Sequence, residues 1–170
     1  MSIVRKSEMK VGPTDQGCCI RIEGAGTMQE SQAAQSMAAR TLESSSDTVV
    51  VIDLSECDYL DSTFIGCLVQ LHRGYGTPSR CVVAAPGPKL KKLIGACGLD
   101  RILCVVDSAP EVRGQWVVLS AAVTERGELM RHVMECHRAL AQLDSPMKNA
   151  FAKIADGIER DLGKAAPHSA

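Results

Sequence analysis

Eight cysteines, four histidines and one Asp-Ser-Thr triplet are the residues of this chain with most chemistry to offer. The cysteines are Cys18, Cys19, Cys57, Cys67, Cys81, Cys97, Cys104 and Cys136. No two stand at C-x-x-C spacing, which leaves neither a zinc ribbon nor a thioredoxin-type motif. Several sit inside aliphatic runs (Cys81-Val-Val-Ala, Leu-Cys104-Val-Val), where a reduced thiol behaves as a small hydrophobe. His132 and Cys136 lie one helical turn apart and could offer two metal ligands, but a site needs more, and Cys136 also falls on an apolar stripe. Lys89, Lys91 and Lys92 form a small basic patch at a helix start, suited to solvent or to an acidic partner. Gly24-Ala-Gly26 lacks the third glycine and the later acid of a dinucleotide fingerprint. There is no P-loop, G-x-S-x-G elbow or H-E-x-x-H, and no nucleophile–base pair is visible. The expectation is a protein that is not an enzyme and uses no cofactor and no metal.

The triplet is the informative feature. It lies in Val49-Val-Val-Ile-Asp53-Leu-Ser-Glu-Cys57-Asp-Tyr-Leu-Asp61-Ser62-Thr63-Phe64-Ile65-Gly66, where a buried strand runs through a loop into an apolar helix. Elementary capping accounts for it, because Asp61 or Ser62 can accept a bond from the free N–H groups of the first turn. Gly66 reads as a close-packing position against the sheet.

The elements that must position this segment alternate. Cys18–Ile22 reads as a strand entered from a Gly12-Pro-Thr-Asp15 turn, with a weaker strand over Ile3–Met9. Gln29–Glu43 is a moderately amphipathic helix, and Val49–Leu54 a strand buried on both faces. A helix from Asp61 stops near Gly74-Tyr-Gly-Thr-Pro78; Arg80–Ala85 is a strand. A helix from Pro88 is closed by Gly98, and Ile102–Val106 is a further strand. Short α–β connections of this kind argue for a largely parallel or mixed sheet of four to five strands with helices packed on it. Residues 111–170, in contrast, read as a helical hairpin. Leu129, Val133, Cys136, Leu140 and Leu143 share one face of the first helix. Ser145 caps the second, Pro146 takes its first position, and Met147, Phe151, Ile154, Ile158 and Leu162 form its stripe. Packing on the rest of the chain is the expected fate of both, with a disordered tail after Gly163.

Composition narrows the function. With 170 residues the chain is one domain plus an appendage, and 19 basic against 20 acidic residues give a net charge of −1. A near-neutral chain with only 3% aromatics lacks both the basic field and the stacking platforms of a nucleic-acid binder. Nothing approaches the roughly 20 apolar residues of a membrane span, and the start lacks a signal-peptide core, so a cytoplasmic location is expected.

From about Gly12 to Pro110 the chain resembles the STAS domain of the anti-sigma factor antagonist family. The signature is a hydrophobic strand, the Asp53-Leu54 dipeptide, a loop, and Asp61-Ser62-Thr63-x-Ile65-Gly66 at a helix start; Leu90-Lys-Lys-Leu-Ile94 to Gly98-Leu99 adds to it. The resemblance implies an α/β STAS fold over 1–110 and a helical extension over 111–170. It implies a phosphorylation-controlled switch: unphosphorylated at Ser62, the protein binds an anti-sigma factor that is also a serine kinase, and phosphorylation releases it. Thr63 is the second candidate acceptor, and Asp61, Ser62, Thr63, Phe64 and Thr27 form the expected partner surface. Phe64 stands where many members have glycine, and Gly24-Ala25-Gly26-Thr27 replaces an acidic loop. A phosphatase is a further partner in this scheme, and the C-terminal helices offer a homodimer surface. Two rivals remain open: a STAS scaffold or ligand-sensing module acting through its C-terminal helices, and a thiol or metal sensor built on Cys136 and His132.

Overall fold

The computed structural model describes residues 6–75, 80–121 and 123–165. In chain order the elements are β1 (Glu8–Thr14), β2 (Gly17–Gly26), α1 (Met28–Ser44), β3 (Val49–Asp53), β4 (Cys57–Leu60), α2 (Ser62–Gly74) and β5 (Cys81–Ala84). There follow α3 (Pro88–Ala96), a 3-10 turn at Leu99–Arg101, β6 (Cys104–Val106), β7 (Val117–Val118), α4 (Arg126–Ala141) and α5 (Lys148–Ala165).

The sheet runs in the order β6-β5-β3-β2-β1-β7, with β4 paired to the far half of β2. The β2/β3, β3/β5, β5/β6 and β2/β4 pairs are parallel; β1 is antiparallel to both β2 and β7. The sheet is thus mixed and largely parallel, as expected, but has seven strands. β1 runs straight through Gly12-Pro13-Thr14, so the turn sits two residues later than the sequence suggests. β4 and β7, only four and two residues long, leave no pattern long enough to read. The weak strand over Ile3–Met9 falls partly on residues 1–5, outside the described residues. Most of the tail after Gly163 does too, although α5 continues to Ala165.

Pleating divides the strand residues between two faces. Ile20, Ile22, Val50, Ile52, Cys81 and Val83 point into the main core beneath the helices. Cys19, Val51 and Ala84 point the other way, where Val112 and Trp116 cover them. On that back face Asp53, fully buried, accepts a bond from Arg21 Nε at 2.7 Å, and Arg21 lies 4.3 Å over the Trp116 ring. All eight cysteines are free thiols and seven are buried. Burial pushes Cys19 and Cys81 up to about 12, so they pack as hydrophobes. The hairpin forms a further layer, with α4 lying across α2 and α1, and α5 on α4.

Candidate functional site

The site is built where two helices start side by side. Asp61 is the N-cap of α2, its Oδ1 accepting from the Phe64 N–H at 2.8 Å. Its Oδ2 accepts from the Met28 N–H at 2.7 Å, at the first residue of α1. One carboxylate thereby serves two helix N-termini, where negative charge is favoured. Thr27 caps α1 in a capping box: its hydroxyl accepts from Gln29 N at 3.3 Å, and its own N–H donates to the Glu30 carboxylate at 2.9 Å. Thr27, Asp61 and Ser62 thus come together although Thr27 and Asp61 lie far apart in the sequence.

Ser62 opens α2 and is half-buried, and a histidine from the C-terminal extension meets its hydroxyl. His137 Nε2 lies 2.8 Å from Ser62 Oγ, and His137 Nδ1 lies 2.7 Å from the Val133 carbonyl. The carbonyl can only accept, so Nδ1 carries the ring proton and the bare Nε2 accepts from the serine hydroxyl. The imidazole is buried and tilted against Phe151, with ring centroids 5.9 Å apart. A second pair lies further along α4. Ser31 Oγ is 2.9 Å from the Met28 carbonyl and 2.7 Å from His132 Nε2, so the hydroxyl donates to the carbonyl and accepts from the imidazole. Burial holds His132 below its ordinary value.

Two residues assigned to the contact surface lie inside instead. Thr63 is 3% exposed and Phe64 0%. Starting α2 at Ser62 turns Thr63 and Phe64 inward, and Phe64 fills the space over Gly26, where an added Cβ would lie 3.1 Å from its ring. That corrects the expectation that Thr63 and Phe64 belong to the partner surface, and it places Thr63, the second candidate acceptor, in the interior. Gly66 also differs from expectation: it faces α4 and not the sheet. A Cβ there would lie 2.7 Å from both the Cys136 Cβ and its carbonyl carbon. The helices approach closely at this point because residue 66 has no side chain.

His132 and Cys136, weighed above as metal ligands, are separated by 3.7 Å from Nε2 to Sγ, with the imidazole bonded to Ser31. Burial, with the Glu135 and Asp61 charges, pushes the Cys136 thiol up to about 12, which opposes the thiolate a metal requires. Among the described residues no group of three or more His, Cys, Asp or Glu side chains stands at ligand spacing. No helix among them is long and apolar enough to cross a membrane.

Beside Ser62 opens a groove of about 700 Å³ between β4, α3 and α5. Its walls are mostly apolar (Leu60, Ile65, Leu90, Leu93, Phe151, Ile154), with Lys89 and Asp58 among its polar lining. Neither this groove nor the Ser62–His137 pair is legible in the sequence, since 75 residues separate the two partners.

The comparisons agree with this architecture. The family model described as "Mlab, STAS domain" matches residues 9–107, more than half of the chain. The chain belongs to the STAS-domain family. Among solved structures, an anti-sigma factor antagonist from Mycobacterium paratuberculosis superposes with a TM-score of 0.54 at 22% identity, covering 64% of this chain and 92% of that one. That likeness shows the fold. The anti-sigma factor antagonist SpoIIAA in its unphosphorylated form has a TM-score of 0.49 at 13% identity, covering 59% of this chain and 89% of that one. The Bacillus cell fate determinant SpoIIAA in the phosphorylated form has 0.47 at 15%, covering 57% and 89%. A search of the curated proteins finds no match. In this STAS chain the matched region ends at β6, so β7, α4 and α5 all lie beyond it.

Proposed function

We propose that this STAS protein is an anti-sigma factor antagonist: a cytoplasmic protein-interaction switch that binds an anti-sigma factor with serine-kinase activity while Ser62 is unmodified. The region 1–110 carries the switch, and 111–170 is an accessory helical extension. The observation that carries the reading is the position of Ser62, half-buried at the first turn of α2 beside the apolar groove, in a chain whose residues 9–107 match the family model. A phosphate there adds about −1.5 to −2 charge next to the Asp61 carboxylate, on a surface otherwise suited to an uncharged contact.

The Ser62–His137 pair has the spacing of a nucleophile and its base. Acyl-transfer chemistry is nonetheless disfavoured. Asp61 occupies the Phe64 N–H and sets a negative charge where an oxyanion would have to develop. Interaction, not catalysis, is the use the electrostatics support.

Full-length wild type, Ser62→Ala and Ser62→Asp serve as baits in a quantitative pull-down from the native cytoplasm. The switch predicts a kinase-like protein retained by wild type and Ser62→Ala and lost by Ser62→Asp. Recovery of the same proteins by all three would reduce Ser62 to a helix-start residue and overturn the reading.

A further inference from the structure

Resting on the reading of Ser62 as the switch, we propose that the α4–α5 pair is a cover on that switch, and that a phosphate on Ser62 and the docked His137 exclude one another. The cover is pinned at several points along α4. His137 bonds Ser62, His132 bonds Ser31, and Arg73 of α2 donates to the Gln142 side chain at 2.6 Å. Gly66 lets the two backbones close between these pins. The cover comes from the part of the chain beyond the matched STAS region.

The exclusion is steric and electrostatic. Transfer of a γ-phosphoryl group from the kinase's nucleoside triphosphate forms the Oγ–P bond and releases the diphosphate and the hydroxyl proton. That proton is the one His137 Nε2 now accepts at 2.8 Å, so the hydrogen bond disappears with it. Three phosphate oxygens must then fit where a buried imidazole packs on Phe151 and presents a lone pair. Asp61 adds its own charge, already bound to the Met28 and Phe64 N–H groups. Rotation towards the groove carries the dianion away from the imidazole, past Leu60, Ile65 and Leu90 towards Lys89 and Asp58 in the same lining, and leaves His137 without its hydrogen-bond donor. The hairpin therefore lifts when Ser62 is phosphorylated. Conversely, while docked it withholds the hydroxyl from the partner kinase, which therefore competes with α4.

The test is hydrogen exchange followed by mass spectrometry on three full-length proteins: unmodified, carrying genetically encoded phosphoserine at 62, and Ser62→Ala. In the phosphoserine protein, α4 and α5 amides exchange at least about 10-fold faster while β2 and β3 keep their protection; Ser62→Ala, losing one hydrogen bond, gives about 5-fold. Unchanged or slower exchange in α4 of the phosphoserine protein would overturn the proposal, as would equal loss across the sheet. The same proteins used as pull-down baits separate the two readings. Faster α4 exchange with identical captured proteins keeps the cover and removes the switch. A changed capture with unchanged α4 exchange removes the cover and keeps the switch.

Discussion

Replacing Gly66 by alanine reports on the α2–α4 contact through the sign of its effect. Gly66 lies inside α2, where alanine is favoured over glycine by about 1 kcal/mol from helix propensity alone. If α4 lay elsewhere, Gly66→Ala would stabilise the protein. In the structure the new methyl carbon falls 2.7 Å from the Cys136 Cβ and carbonyl carbon, whereas apolar carbons rest about 3.5–4.0 Å apart. The obstacle includes backbone, which cannot swing aside as a long side chain can, so α4 must shift by about 1 Å or more. Overpacking of this kind costs about 1–3 kcal/mol, which exceeds the propensity gain over most of its range. The net loss of up to about 2 kcal/mol lowers Tm by up to about 8 °C in a domain of this size. Differential scanning calorimetry of full-length wild type and Gly66→Ala decides it. A raised Tm would refute the close approach and, with it, the placement of His137 on Ser62.

Asp61→Ala removes the acceptor for both Phe64 N–H and Met28 N–H, and a lost N-cap alone costs about 0.5–2 kcal/mol. Its Tm should fall by about 2–8 °C, and a change under about 1 °C would show that neither bond matters. His132 gives a pH signature. Its folded-state value lies below 6.5, so between the two values the unfolded chain binds the extra proton. Stability is complete above 6.5 and declines as pH falls below it towards the folded value. Urea midpoints at pH 7.5 and 5.5 should show this loss in wild type and a smaller one in His132→Gln; equal losses would refute a buried, neutral His132.

The mutual position of the two serine–histidine pairs also explains why the site escaped a linear reading. The triplet Asp61-Ser62-Thr63 is legible because capping is local: the acceptor and the N–H it serves are three residues apart. The buried strand β3 is legible for a similar reason, since a run of β-branched residues records burial on both faces. The second bond of Asp61, to Met28, leaves no trace in the sequence, because it depends on two helices starting side by side.

By itself the sequence determined the alternating α/β frame, a helix opening at the Asp61-Ser62-Thr63 triplet with Asp61 or Ser62 as its cap, and the resemblance to STAS domains. All of these rest on interactions within a few residues or on periodicities along one element. Only the tertiary structure decided which face each side chain meets. It turned Thr63 and Phe64 into the core, set Gly66 against Cys136, and brought His137 across 75 residues to Ser62. A hydrogen bond or a close backbone approach depends on distances of a few tenths of an ångström, and those are fixed by packing rather than by the residues taken in order.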